Sequence, residues 1–388
     1  MPERPLPYSR QWIGDEEIAA AMEVLRSDWI TQGPKVGEFE TAVASFVGTP
    51  HAVAVGSGTA ALHLSCLAAG FAPGDEVVVS PLTFVATANA VLYAGATPAF
   101  ADVRDSDGCL DPQAALARIG PRTRGILGVD FAGHPCDWDS LREIARDRQL
   151  VLVDDACHAL GAEHRGRRIG TQADFTAFSF HPVKHVTTGE GGLIAVSDPE
   201  RARHLAVLRS HGVERERFVE EGEDHGPWYY EMQHLGHNFR ITDIQCAVGI
   251  VQMKRLGEFL ARRRRLADLY GERLGGLGGV RVPADSEWGR SAWHLYVVRV
   301  PRESRRSIFC ALRERGIGAQ VHYLPVHLHP YYRRRFGTGR GDFPVAERIY
   351  DESISLPLFP AMADSDVDSV VLALREAMSA NYRASSRT

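Results

Sequence analysis

The chain is poor in lysine. Of its 44 basic residues three are lysines (Lys35, Lys184 and Lys254), and arginine carries nearly all of the positive charge. Positive charge does not dominate either. A net charge of -5 gives no electrostatic basis for holding nucleic acid or an anionic membrane. Two local basic runs exist: Arg262–Arg265 reads as a solvated helix face, and Arg333–Arg335 as a solvated loop or, alternatively, a contact to a phosphate. No apolar run is long enough to span a bilayer, and the first residues lack the apolar centre of a signal peptide. The six cysteines (66, 109, 136, 157, 246 and 310) show no CxxC spacing, so a disulfide framework or a zinc ribbon is not expected. Reduced, mostly buried thiols in a cytoplasmic protein are. Obvious repeats and low-complexity segments are absent. What remains is a globular composition, 44% apolar and 24% charged, over 388 residues. That length suits one large domain and a smaller one.

From about residue 50 to 200, short β-branched runs alternate with helical patterns. Strands are expected at Ala52–Val55, Glu76–Ser80, Pro98–Val103, Gly125–Asp130, Leu150–Asp154, Ala173–Phe180 and Gly192–Val196. Helices are expected at Thr59–Ala69, Thr83–Tyr93, Gln113–Ile119 and Trp138–Arg148. This order predicts an α/β fold: a mainly parallel sheet between helices, with ligands at the carboxyl ends of strands. The pattern changes after about residue 250. A long charged helix over Gln252–Leu274 leads into mixed elements: strands at Val280–Pro283, Ala292–Val300, Ala319–Tyr323 and Ser353–Pro357, and helices at Arg305–Arg315 and from Asp364 or Ser365 to Met378. The expected division is 1–250 for the large domain and 251–388 for a smaller α+β domain. The irregular stretch from Glu214 to Tyr230 reads as a surface loop or lid.

Lys184 lies between a short apolar run and the glycine-rich turn Gly189-Glu190-Gly191-Gly192. It is either a surface lysine on a loop or an amine that loses water, drops its pKa and attacks a carbonyl. The second reading needs an aldehyde cofactor, and pyridoxal phosphate is the first to consider. Two further features bear on it. Gly56-Ser57-Gly58-Thr59 joins a strand to a helix, where free N–H groups and the helix dipole suit a phosphate; tight turns also use glycine for geometry alone. The strand Val151–Val153 ends in Asp154-Asp155. Such an acid either caps the next helix or pairs with a ring nitrogen, keeping the ring an electron acceptor. His158 either reaches the ring's phenolic oxygen or is a satisfied turn histidine. Phe84 could stack on a flat ring or belong to the core, and Ser179 could reach a phosphate oxygen.

These pieces occur in the order used by fold-type I aminotransferases. The chain resembles the DegT/DnrJ/EryC family of sugar aminotransferases from Tyr8 to the last helix. The carrying segments are Leu25–Gly33, Gly56–Leu62, Thr83–Thr87, Asp155–Ala159, Ser179–Lys184, Gly189–Gly192 and Gly236–Arg240. The resemblance implies a fold-type I transferase with a seven-stranded sheet, the N-terminal 25 or so residues packing on the small domain, and pyridoxal 5'-phosphate as cofactor. By the same resemblance Lys184 would form the Schiff base and Asp155 would pair with the pyridinium nitrogen. Phe84 would stack on the ring with His158 near its phenolic oxygen. Gly58, Thr59 and Ser179 would hold the phosphate. Asn238 would reach the phosphate of the neighbouring subunit of a homodimer. Thr31, His322 and Tyr323 would line the sugar pocket. Some relatives carry histidine in place of the lysine and are dehydratases; Lys184 favours amino transfer. His185 departs from the Asn or Pro common in relatives.

Within the family the chain is most similar to the aminotransferases of pseudaminic acid biosynthesis, through Tyr8–Gln11, Val129–Gly133, His181–Lys184 and Gln320–His327. The implied substrates are L-glutamate and a UDP-linked 4-keto-6-deoxy-N-acetylhexosamine, and the implied product is UDP-4-amino-4,6-dideoxy-N-acetyl-β-L-altrosamine. Another NDP-4-keto or 3-keto sugar is the alternative. A non-catalytic sugar-nucleotide-binding protein on this fold is a rival of another class. A Rossmann oxidoreductase would use Gly56-Ser57-Gly58 but leaves the lysine turn unexplained. His322, His327 and His329 match no common metal-ligand spacing, so no metal is expected.

Overall fold

The computed structural model describes residues 5–219 and 226–385. Helices α1 (Asp15–Leu25) and α2 (Pro34–Val47) precede the alternating region. That region then runs β1 (His51–Val55), α3 (Gly58–Ala68), β2 (Glu76–Val79), α4 (Val85–Tyr93), β3 (Thr97–Phe100), α5 (Pro112–Arg118), β4 (Thr123–Val129), α6 (Trp138–Arg148) and β5 (Val151–Asp155). Two short strands, β6 (Glu163–His164) and β7 (Arg167–Arg168), stand apart from the main sheet. The main sheet is completed by β8 (Phe175–Ser179) and β9 (Gly192–Val196), followed by α7 (Pro199–Arg209).

The seven-stranded sheet has the order β1-β9-β8-β5-β4-β2-β3. All neighbours are parallel except β9, which is antiparallel to both β1 and β8. Successive side chains of a strand point to opposite faces, and here both faces are apolar. Val77, Val79, Leu127 and Val153 join one core with Leu62 and Val91, while Val78, Ile126 and Leu152 join the other with Phe39 and Trp138. Burial on both faces explains why these strands read as continuous apolar runs. Because β1, β5 and β8 all point the same way, their carboxyl ends lie along one edge of the sheet.

Helix α8 (Asp243–Leu274) runs for 32 residues. It starts earlier than its charge pattern suggests, because Thr242 and Gln245 form a capping box at its N-terminus. Its last turns enter a third core, built with α9 (Arg302–Glu314), the helix Asp364–Ser385 and an antiparallel pair, Tyr296–Arg299 with Ser353–Leu356. Leu6 joins that core, and its backbone bonds to Gly316 and Gly318 at 2.8 and 2.7 Å.

Several expected elements of this half are shorter. Val280–Pro283 and Ala319–Tyr323 are not strands; each makes one bridge, Arg281 to Arg299 and Gln320 to Ser355. The strand expected from Ala292 begins at Tyr296, because the amides of Ala292 and Leu295 donate to the carbonyls of Gly133 and Ala132 instead. The arginine run also departs from its reading as a solvated face. Arg263 has no exposed surface, and its Nη1 donates to the carbonyls of Trp293, His294 and Leu358 at 3.2, 3.3 and 2.9 Å. Part of the irregular stretch, 220–225, lies outside the described residues; its flanks pair as Val213–Glu214 with Glu231–Met232. Among the described residues no helix is long and apolar enough to cross a membrane.

Candidate active site

The two acids that end β5 point opposite ways. Asp154 turns into the core beside Thr176, and burial drives its pKa well up. Asp155 turns to the sheet edge. Its Oδ2 accepts from Thr87 at 2.6 Å, its Oδ1 accepts from the Cys157 amide at 3.2 Å, and Thr83 supports Thr87 at 2.6 Å. Strand alternation thus decides which acid faces the cavity, and α4 supplies the threonine that orients it.

That cavity has a volume of about 380 Å³ and lies over the carboxyl ends of β1, β5 and β8. Gly58, Thr59, Phe84, Asp155, His158, Ser179, Lys184, His322 and Tyr323 all line it. Ser57 caps α3 by accepting from the Ala60 amide at 3.1 Å, while its carbonyl takes the Ala61 amide. The amides of Gly58 and Thr59 have no partner among the described residues. Gly58 is required here. A Cβ at that position would lie 2.8 Å from Ser179 Cβ, 3.1 Å from its Oγ and 3.2 Å from Cys157 Sγ. The result is a narrow cradle of backbone N–H and hydroxyl groups.

Lys184 stands across the cavity from α3 on a turn closed by its own amide donating to His181 at 2.9 Å. Its amine makes no hydrogen bond or ion pair among the described residues. Burial lowers its pKa, opposed by attraction to Cys157 and Asp155. The neutral, nucleophilic form is therefore more accessible than in a surface lysine. His158 approaches Tyr323, with Nε2 3.2 Å from the phenolic oxygen, and its Nδ1 is buried without a partner among the described residues. The ring of His294 lies 4.4 Å from that of His158. Burial holds His158 and His294 well below the usual histidine range and His322 at about 4. The cavity is thus rich in imidazole but poor in positive charge, and no arginine lines it among the described residues.

Asn238 and Thr31 are not brought to the cavity of their own chain. Asn238 is exposed and bridges Ser210; Thr31 bridges Thr242. His185 turns away, buried, with Nε2 2.9 Å from the Ala292 carbonyl, so it fills the packing behind the lysine turn rather than the cavity. His327 pairs with Glu347 at 3.0 Å, far in role from His322, which bonds Ser355. Among the described residues no cluster of three or more His, Cys, Asp or Glu side chains could hold a metal. The cavity also takes in Tyr8, Thr87, His181, Glu190 and His294, to which the sequence reading assigned no role. His294 sits in what looks like ordinary strand alternation, and Tyr8 lies nearly 150 residues before Asp155, so nothing local marks either.

An aldehyde-bearing ring with a phosphate fits these residues. A free amine, an oriented carboxylate, an unpartnered buried imidazole nitrogen and a cradle closed to any Cβ face one space. Fold and site together define a fold-type I transferase. The chain belongs to the DegT/DnrJ/EryC1/StrS aminotransferase family, whose profile matches residues 11–375. It is 43% identical over 376 residues to the spore coat polysaccharide biosynthesis protein SpsC of Bacillus subtilis, covering 96% of each chain. Among solved structures it is similar to Helicobacter pylori PseC, an aminotransferase involved in the biosynthesis of pseudoaminic acid (31% identity, TM-score 0.90, 97% of this chain and 100% of that one). It is equally similar to the putative sugar aminotransferase Spr1654 of Streptococcus pneumoniae in its PLP form (31%, TM-score 0.90, 96% and 98%), which has also been solved in a PMP form.

Proposed function

We propose that this chain is a pyridoxal phosphate-dependent aminotransferase that moves an amino group from L-glutamate to C4 of a UDP-linked 4-keto-6-deoxy-N-acetylhexosamine. The product would be UDP-4-amino-4,6-dideoxy-N-acetyl-β-L-altrosamine. The observation that carries the reaction type is the convergence of Lys184, Asp155 and the Gly58–Ser179 cradle on one cavity. Bound there, pyridoxal phosphate supplies a carbonyl that carries the amino group and a ring that accepts electrons from the neighbouring carbon. The amides of Gly58 and Thr59 and the Ser179 hydroxyl would hold the phosphate. Asp155, fixed by Thr87 and the Cys157 amide, would face the ring nitrogen and keep a proton there. Phe84 would stack on the ring, and His158, which meets Tyr323 at 3.2 Å, would lie near its phenolic oxygen. Lys184 Nζ takes the proton from the donor's α-carbon and later delivers one to C4 of the sugar, which sets the new stereocentre.

The protein works as a cytoplasmic homodimer in this reading. Asn238 reaches the phosphate in the second subunit's site and Thr31 approaches the sugar. Exposed apolar side chains near these segments, among them Trp29, Ile30 and Leu235, support a covered surface there. The resemblance to PseC favours the pseudaminic acid precursor. The higher identity to SpsC favours another keto sugar, destined for a polysaccharide. An intact Lys184 and Asp155 speak against a binding protein without catalysis. The test is an assay with glutamate against UDP- and dTDP-linked 4-keto-6-deoxy sugars, with the amino sugar identified. Amination of the UDP-N-acetyl substrate alone supports the specific proposal. Preference for another sugar leaves the reaction type and removes the pathway.

A further inference from the structure

Asp155 would carry the counter-charge of the proposed reaction, yet nothing basic pairs with it. Among the described residues it makes no ion pair. Its two hydrogen bonds come from neutral groups, the Thr87 hydroxyl at 2.6 Å and the Cys157 amide at 3.2 Å. Its surroundings oppose a negative charge: it is buried, and two further buried acids lie close by. Burial, with repulsion from Asp155 added, pushes Asp130 up to about 7 and Asp154 well above the usual carboxylate range. Cys66, Cys157, Tyr323 and Lys184 also feel its charge, and of these the lysine alone can answer with a positive one. In the proposed reaction that amine is occupied by the chemistry. A buried charge without a counter-ion depends on hydrogen-bond donors.

The start of α4 supplies donors in series. Thr83 and Thr87 stand four residues apart across its N-terminus, both buried, and their hydroxyls meet at 2.6 Å. Each hydroxyl has a single proton to give. An ionised carboxylate only accepts, so Thr87 spends its proton on Asp155 and must accept that of Thr83. The chain runs one way, Thr83 to Thr87 to Asp155, and each bond polarises the next.

We infer that Thr83 and Thr87 are positioning residues whose hydroxyl chain keeps the charge on Asp155 and so holds a proton on the ring nitrogen of bound pyridoxal phosphate. This rests on the aminotransferase reading above. One proton lies between the ring nitrogen and the carboxylate. A donor on the carboxylate favours its ionised form and leaves that proton on the ring. Without the Thr87 hydroxyl the proton moves toward Asp155, and the ring becomes a weaker electron acceptor. Valine has nearly the shape of threonine and lacks the hydroxyl, so it removes the chain and keeps the packing.

The experiment reads the ring nitrogen directly, without substrate or turnover. The protein is loaded with pyridoxal phosphate labelled with heavy nitrogen at the ring, and the nitrogen's magnetic resonance shift is followed against pH. Thr87→Val, Thr83→Val and Thr87→Ser are compared with the unaltered enzyme. In Thr87→Val the ring nitrogen's proton affinity should fall roughly 10- to 100-fold, the loss of about one hydrogen bond to a charged group. Thr83→Val should move it the same way by roughly threefold, through the weakened second bond. Thr87→Ser keeps the hydroxyl and should stay within about twofold of the unaltered enzyme. Should Thr87→Val fail to keep cofactor, Thr83→Val decides, because it leaves Thr87 in contact with Asp155. If the valine variants lose melting temperature or turnover while the nitrogen titrates as before, the threonines are structural and the inference is wrong, while the aminotransferase reading stands. The same holds if Thr87→Ser titrates like Thr87→Val. If the unaltered protein retains no pyridoxal phosphate, the inference and the functional reading fall together.

Discussion

In the proposed reaction Lys184 would act as the proton carrier and Asp155 as a fixed counter-charge. Lys184→Ala should reduce amino transfer by at least roughly 10²–10⁴-fold, the usual contribution of a positioned proton-transfer group. It should also abolish the absorbance near the visible edge, since the ring's carbonyl loses its amine. Absorption spectra and multiple-turnover assays of the purified variant check both. Asp155→Asn keeps the shape and the Thr87 contact but loses the charge, so turnover should fall while the fold's melting temperature holds. The arginine beneath the site is structural. Arg263 is buried and its pKa falls to about 9, yet it binds three carbonyls. Arg263→Ala strands those acceptors and should destabilise the protein by about 3 kcal/mol, read by denaturant unfolding.

At the scale of elements, the β1–α3 turn is the most exacting join. Gly58→Ala places a methyl group against Ser179 and Cys157. An overpacking cost of about 1–3 kcal/mol falls on the cradle, so cofactor retention through gel filtration should drop before thermal stability does. This join was legible in the sequence because its glycines, its cap and the following helical period all agree. So were the strand ends near Asp155 and Ser179, which run length placed to within one residue. The reversed direction of β9 was not, because Gly192–Val196 is buried along its whole length and reads the same either way. The burial of Arg263 was hidden among three other arginines, and the shortened strand at Tyr296 depends on distant carbonyls at Ala132 and Gly133. Tyr8 and His294 reach the cavity only through contacts between distant parts of the chain.

Over the whole molecule, the loop after β3 fastens the small core to the large one. Asp102 accepts from the amides of Val345 and Ala346, both at 2.9 Å, at the start of the helix Pro344–Glu352. Asp105 accepts from Arg281, Arg299 and Arg348, and these contacts hold its carboxyl well below its ordinary value of 3.8. A depressed carboxyl stabilises the fold above its unfolded pKa, and that stability is lost as pH falls toward its folded one. The buried histidines His158, His185 and His294 act in the same direction at higher pH. Each is held well below 6.5, so the unfolded chain binds more protons and stability declines as pH drops below that value. Melting temperatures should therefore fall in two stages, first below about pH 6.5 and again below about pH 4. Asp105→Asn should lower the melting temperature at pH 7, and its deficit should shrink below pH 4.

The scarcity of lysine has a practical side. Lys35 is tied to Glu38 at 2.8 Å with its pKa raised, and Lys254 is exposed. Only Lys184 combines a lowered pKa with an enclosed position. An acylating reagent at mildly alkaline pH should therefore mark three side-chain amines and protect one of them whenever the site is filled. Peptide mapping of that single mark gives a direct measure of occupancy, with no substrate and no turnover required.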